Sequence, residues 1–135
     1  MGLLDTARVG DEIERQIIVS DGLMDDFSKI SGDFNPLHTN EEFAKSKGFA
    51  GRVAHGNILN LMISSMVGMD LKDDNVMLLS QRVEYKKPMF IDDVITATGT
   101  ISAISITLGV IEIKFHFRNQ DQNLVAKGSC SIKCI

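Results

Sequence analysis

The chain has 135 residues, of which 44% are apolar and 24% charged, as in an ordinary globular domain. That length suits one hydrophobic core, so we expect a single domain over residues 1–135. Lysine and arginine total 14 against 18 aspartate and glutamate residues, which leaves a formal charge of −4. Phosphate contacts need grouped cations, so a mildly acidic chain without a basic cluster excludes nucleic acid as an expected partner.

Cysteine use and hydropathy indicate the compartment. The longest apolar stretch, residues 58–69, falls short of the ~20 residues that a membrane span needs, and no signal peptide is predicted. Cys130 and Cys134 would lie roughly 13 Å apart on one face of a strand at ~3.3 Å per residue, beyond disulfide reach. No cysteine and histidine set has zinc spacing. We therefore expect a cytoplasmic protein with reduced cysteines, no membrane partner and no metal.

The first elements in chain order mix strand and helix. Residues 13–19 form a β-rich run, which predicts the first strand. Ser20 can cap a helix whose apolar residues recur at helical spacing as far as Gly32. A stiff loop follows, and Asn40 can then cap a short helix over residues 41–47.

A central helix and a sheet are predicted next. Residues 57–67 carry no charge, and their apolar side chains cover every direction around a helix. Such a helix must be buried on all sides, so we expect the rest of the chain to wrap it. Short connections between alternating segments favour an antiparallel meander. With the first strand this predicts an α+β fold of about five strands, the other four lying at residues 76–85, 94–104, 111–118 and 124–132.

One run of residues could carry chemistry. Between Ser31 and His38, the sequence places a carboxylate at Asp33, an amide at Asn35 and an imidazole at His38 around Pro36. Proline stiffens the segment, which could aim the carboxylate and the imidazole at one water as a general acid/base pair. The same residues also suit a simple Asp-x-Asn turn beside a surface histidine.

A second motif lies at the start of the central helix. His55-Gly56 precedes it, and a helix N-terminus offers unpaired N–H groups to a carbonyl oxygen that becomes an oxyanion. Glycine lets a ligand approach the backbone closely. A helix start with no ligand is the alternative.

At matched spacing, the two motifs resemble the (R)-specific enoyl-CoA hydratases, the hydratase 2 group of the MaoC-like dehydratases. The likeness runs from Gly32 to His38, through Phe49 and Gly51 to Ser64, and over Val83 to Val94. Asp-x-Asn-Pro-x-His is its most specific part. The resemblance implies a hot-dog fold, in which an antiparallel sheet wraps a long central helix and two copies pair as a homodimer.

The resemblance also implies roles for individual residues. It places the catalytic pair on Asp33 and His38, support on Asn35 and Ser64, and the oxyanion donor on the backbone N–H of Gly56. The implied reaction is reversible syn addition of water to a trans-2-enoyl thioester, giving an (R)-3-hydroxyacyl thioester. No cofactor is expected beyond the CoA or acyl carrier protein that carries the acyl group.

The carrier and the substrate stay open at this point. Family members usually have methionine where this chain has Asn57, which leaves the shape of the acyl pocket undecided. Arg52, Lys86 and Lys87 are the candidate cations for CoA phosphates, since the chain as a whole is acidic. The alternatives are a (3R)-hydroxyacyl-acyl-carrier-protein dehydratase, a hot-dog acyl-CoA thioesterase and a non-catalytic module that binds acyl thioesters.

Overall fold

Five antiparallel strands form one sheet against which the longest buried helix packs. The structure is a computed structural model that describes residues 1–135. Its helices are α1 Leu3–Thr6, α2 Asp21–Ser31, α3 Pro36–Thr39, α4 Glu41–Ser46 and α5 Ile58–Ser65, which continues as a π-helical segment over Met66–Asp70. Its strands are β1 Glu12–Ile18, β2 Val76–Tyr85, β3 Val94–Ser105, β4 Val110–Arg118 and β5 Leu124–Cys134.

The strand order is β1-β3-β4-β5-β2. The predicted meander is right for β3, β4 and β5 but wrong for β2, which pairs with β5 in a register that sets Val76 opposite Cys134. The reason lies in residues 86–93, which are too many for a tight hairpin turn. They instead run beside residues 53–54, where Ala54 N–H donates to the carbonyl of Met89 at 2.7 Å.

The core lies between α5 and the concave face of the sheet. Alternation in β4 reports burial directly, because its inward side chains are fully buried and its outward ones are exposed. The prediction that the central helix is buried on all sides is wrong for one chain, since Leu61 is 45% exposed and Ser64 is exposed as well. The sheet covers one face of α5 and leaves the other uncovered.

Local capping explains where the helices begin and end. The Ser20 hydroxyl accepts from the backbone N–H of Leu23 at 3.1 Å, and Gly32 ends α2 in the left-handed region at φ 75°. The predicted stiff loop is in part a helical turn, α3, because Asn35 caps it and Pro36 occupies its first position. Proline is well suited there, since its missing N–H would have no partner in the helix.

Two further observations bear on the environment of the chain. Cys130 is buried, Cys134 is half-buried, and both thiols are free. None of the helices combines the length and the apolar character required to cross a membrane.

Candidate active site

A cavity of about 450 Å³ opens beside the start of α5, between the loop after α2 and the end of β2. Five of the eight site residues assigned from the sequence line it: Asp33, His38, Gly56, Lys86 and Lys87. The rest of the lining is largely apolar, which suits an acyl chain. Its apolar members are Phe27, Val53, Ala54, Leu59, Pro88, Met89 and Val125.

Asp33 and His38 face each other at the wall of this cavity. Nδ1 of His38 lies 2.7 Å from the carbonyl oxygen of Val53. A carbonyl can only accept, so this nitrogen carries the proton of the neutral ring and Nε2 keeps a free lone pair. Nε2 lies 3.7 Å from Oδ2 of Asp33, too far for a direct hydrogen bond but close enough for one water to contact both atoms. The Asp33 side chain is 46% exposed, so solvent reaches the pair.

Asn35 shapes the turn that presents the pair. Its backbone N–H donates to Oδ1 of Asp33 at 3.1 Å, and its side-chain oxygen accepts from Leu37 N–H at 2.9 Å. Oδ2 of Asp33 is thereby left for the cavity. The side chain of Asn35 does not line the cavity itself, so its support is conformational.

Gly56 contributes a backbone N–H that has no acceptor within the chain. The residue lies against the ring of Tyr85 so closely that a Cβ would come within 2.8 Å of the ring atom Cε1. Tyr85 is 51% exposed, so a Cβ at this position would push the end of its ring aside rather than meet fixed core atoms. An N–H held in a largely apolar cavity can stabilise a developing oxyanion.

Arg52 is placed differently from the sequence-based assignment. Its Nε donates to the carbonyl oxygen of His38 at 2.7 Å, and its two terminal nitrogens lie 3.2 Å from Asp21 and 3.4 Å from Asp25. It does not line the cavity. A guanidinium whose donors are used in this way braces the backbone of α3, so binding of a CoA phosphate by Arg52 does not fit this arrangement.

The two lysines differ from each other. Nζ of Lys86 lies 3.1 Å from a carboxylate oxygen of Glu84, and the hydrogen bond from this ammonium lowers the pKa of Glu84. Lys87 makes no ion pair within the chain, and the backbone N–H groups of both lysines lie against the carbonyl of Val125. Lys87 is therefore the less engaged cation at the mouth of the cavity.

Ser64 is not brought to the cavity by one chain. It lies on the uncovered face of α5, two turns beyond Gly56, and is exposed there. The supporting role that the family resemblance implies for Ser64 is thus not met within a single copy.

The acidic and imidazole atoms of Asp33, His38 and His55 lie within 4.8 Å of one another, a spacing that raises the question of a metal ion. Nε2 of His55, however, already lies 3.2 Å from the carbonyl oxygen of Asp33 and 3.3 Å from the hydroxyl of Ser28. Nδ1 of His55 is buried without a partner, whereas Nε2 of His38 and Oδ2 of Asp33 both lack a partner and face each other at 3.7 Å. That arrangement suits a shared water.

The sequence assigned no role to three side chains or carbonyls that shape the site. Val53 sets the tautomer of His38 through its carbonyl, the ring of Tyr85 packs on Gly56, and the side chain of His55 packs behind the pair. Tyr85 and His55 fall inside the motifs that carried the family resemblance. Their roles depend on contacts with distant parts of the chain, which no local pattern reports.

The family of the chain follows from comparison with known proteins. The family model described as the MaoC-like domain matches residues 6–114. The chain belongs to the MaoC-like domain family. The resemblance seen in the sequence is therefore confirmed, and so are the hot-dog fold and the hydro-lyase class of hydratases and dehydratases.

Individual MaoC-like proteins show how close the likeness is. An (R)-specific enoyl-CoA hydratase from Aeromonas caviae is 28% identical over 107 residues, covering 79% of this chain and 80% of the relative. A mitochondrial 3-hydroxyacyl-[acyl-carrier-protein] dehydratase from Arabidopsis thaliana is 25% identical over 127 residues, covering 92% and 75%. The solved structure of an (R)-hydratase from A. caviae involved in PHA biosynthesis superposes with a TM-score of 0.91 at 25% identity, covering 96% of this chain and 98% of that one.

Proposed function

We propose that this MaoC-like protein is an (R)-specific enoyl-CoA hydratase, which reversibly hydrates trans-2-enoyl-CoA to (R)-3-hydroxyacyl-CoA. The observation that carries the proposal is the free lone pair on Nε2 of His38, held 3.7 Å from Oδ2 of Asp33. Both atoms open into the cavity that Gly56 also lines. The relatedness to (R)-specific enoyl-CoA hydratases supports it.

The proposed chemistry uses only side chains and backbone of this chain. Asp33 accepts a hydrogen bond from the water and orients it, and His38 takes its proton as the oxygen bonds to C3. The π electrons between C2 and C3 move toward the thioester oxygen, which the N–H of Gly56 stabilises, an effect worth about 10²–10³ in rate. Protonated His38 then returns the proton to C2 on the same face. No metal or redox cofactor enters these steps.

The proposal also names CoA as the carrier of the acyl group. Lys86 and Lys87 line the mouth of the cavity and are proposed to contact CoA phosphates. A (3R)-hydroxyacyl-acyl-carrier-protein dehydratase is the second candidate, favoured by similarity over 92% of the chain to such a dehydratase. It would use the same Asp33 and His38 on a different carrier.

We also propose that the active form is a homodimer. Strand β2 is an edge of the sheet and exposes apolar side chains, with Met77 50% and Leu79 51% exposed. Leu61 lies on the uncovered face of α5. An exposed edge strand can pair with another chain, and exposed apolar patches mark interaction surfaces.

A cytoplasmic location stays a prediction, and free thiols at Cys130 and Cys134 suit a reducing compartment.

A two-channel assay tests the function. Crotonyl-CoA is added to the purified protein, and loss of the enoyl-thioester ultraviolet absorbance is recorded alongside release of free thiol. Loss of absorbance without thiol supports the hydratase. Release of thiol would identify a thioesterase, and no change with any chain length on CoA or acyl carrier protein would identify a binding module; either would overturn the proposal.

A further inference from the structure

His55 is a buried histidine for which the proposed mechanism has no use. It directly precedes Gly56, it is only 2% exposed, and its ring lies against two other rings. The ring centroid is 4.0 Å from that of His38 at an interplanar angle of 26°, and 4.6 Å from that of Phe27. The stacked contact means that any displacement of His55 is transmitted directly to His38.

The hydrogen bonds of His55 define its tautomer. Nε2 lies 3.2 Å from the carbonyl oxygen of Asp33, which can only accept, so Nε2 carries the proton. The hydroxyl oxygen of Ser28, itself buried, lies 3.3 Å from the same nitrogen. Nδ1 is therefore the unprotonated nitrogen, and it is buried with no hydrogen-bond partner.

His55 remains neutral for identifiable reasons. Burial lowers its pKa, and the neighbouring His38 lowers it further, although the hydrogen bond to the Asp33 carbonyl and the Asp33 charge act in the opposite direction. A proton on Nδ1 would have no acceptor. A neutral ring here adds no repulsion when His38 carries the proton of the attacking water.

The contact with Asp33 matters because little else ties this residue to the rest of the fold. The other hydrogen bonds of Asp33 go to Ser31 and Asn35, each two residues away. The bond from His55 spans 22 residues of chain and joins the loop after α2 to the start of α5. It therefore fixes where the backbone of Asp33 lies relative to the start of α5, while the Asn35 N–H orients the carboxylate itself.

We infer that His55 is a positioning residue, whose ring and Nε2–H hold His38 and Asp33 in register with each other and with the N–H of Gly56. The inference rests on the proposed function and assigns no proton transfer to His55 itself. A misplacement of about 1 Å at a reacting group can cost ~10²-fold in rate, which is the scale of effect that such a residue controls.

Two substitutions separate positioning from simple core filling. His55→Phe keeps an aromatic ring against His38 but removes the N–H, whereas His55→Gln keeps a donor near the place of Nε2 and removes the ring. A core-filling role predicts that Phe is the better replacement for both stability and rate. A positioning role predicts that stability and rate rank the two variants in opposite ways. His55→Phe gives the higher unfolding midpoint, and His55→Gln gives the higher kcat. We expect His55→Phe to lower kcat by about 10-fold or more with little change in KM.

A spectroscopic readout avoids any dependence on activity. The chain has 3 histidines, so ¹⁵N-labelled imidazoles give a simple spectrum in which the exposed His116 serves as the reference. The wild type should show His38 protonated on Nδ1 and His55 protonated on Nε2. In His55→Phe the Nε2 signal of His38 should shift because the Asp33 carboxylate beside it moves, while the Val53 carbonyl keeps the proton on Nδ1. His116→Phe should leave both His38 signals unchanged.

The outcomes separate the inference from the proposed function. A wild type that hydrates no thioester, yet shows these tautomers and the shift of the His38 Nε2 signal in His55→Phe, would overturn the function and leave the positioning intact. An active wild type whose kcat and His38 signals are the same in His55→Phe would overturn the inference. If His55→Phe does not fold, His55→Gln is compared with His55→Asn, whose shorter amide cannot reach the Asp33 carbonyl. Equal kcat values for that pair would also overturn it.

Discussion

Oδ2 of Asp33 and Nε2 of His38 lie 3.7 Å apart, and neither atom is hydrogen-bonded to another part of the chain. Each atom is therefore free to hydrogen-bond to the same water. Loss of either side chain should leave that water without activation. Asp33→Asn and His38→Ala should each lower the hydration rate by at least ~10²-fold.

That prediction is checked by steady-state kinetics on a trans-2-enoyl-CoA. Circular dichroism should show that both variants stay folded. His116→Ala, on the outer face of β4, is the matched control and should keep wild-type rates. Near-native activity in either site variant would remove that residue from the mechanism.

The mouth of the cavity gives a prediction about the carrier. Replacing Lys86 and Lys87 together by Ala should raise KM for enoyl-CoA more than KM for a short pantetheine thioester, which lacks the CoA phosphates. Added salt should also raise KM for the CoA substrate, because exposed charges are screened over a Debye length of ~8–10 Å near physiological ionic strength. Equal effects on the KM values of the two substrates would show that the lysines do not bind the CoA phosphates.

The packing of Gly56 against Tyr85 predicts a coupled effect on stability. Gly56→Ala should destabilise the fold by no more than about 1 kcal/mol, since its Cβ would push aside the end of the half-exposed Tyr85 ring. The same change made in a Tyr85→Ala background should cost less, because the overlapping atoms are gone. The free energy of unfolding is measured by denaturant for the wild type, the two single variants and the double variant. Additive effects of the two substitutions would contradict the contact.

Local patterns predicted much of the fold because they report physical constraints directly. Period-2 alternation located β4, since burial itself alternates along a strand, and Ser20, Gly32 and Asn40 marked helix ends through their caps. The partner of β2 escaped prediction because strand pairing is decided by distant segments. The same limit applies to the site. The motif around Asp33 and His38 could be recognised because its residues are neighbours in the sequence. The contacts of Arg52 could not be predicted, because its partners lie 14 to 31 residues away.

The uncovered face of α5 predicts how the protein assembles. Leu61→Asp should weaken the proposed dimer, because a charge would replace an apolar side chain at the contact between copies. Leu108→Asp is the matched control, since Leu108 is also exposed, at 63%, but lies in the turn between β3 and β4. Light scattering across a dilution series should show dissociation only in the first variant. A wild type that is an active monomer at micromolar concentration would contradict the dimer.

Burial of one thiol predicts the response to alkaline pH. Burial raises the pKa of Cys130 from 9.0 to about 12. Between these values the unfolded chain releases a proton that the folded chain keeps, so the stabilising contribution is full below pH 9 and is lost as pH rises through the folded pKa. Denaturant midpoints over this range should fall more steeply in the wild type than in Cys130→Ala. Parallel curves would show that this thiol titrates alike in both states.

The stereochemistry of the product tests the central claim most directly, because one water held by Asp33 and His38 can reach only one face of the double bond. The reaction is run in deuterium oxide with crotonyl-CoA, and the 3-hydroxybutyryl product is analysed by chiral chromatography and NMR. The expected product is a single (R)-3-hydroxy enantiomer with deuterium added to C2 on the same face. An (S) or racemic product, or deuterium on the opposite face, would contradict it.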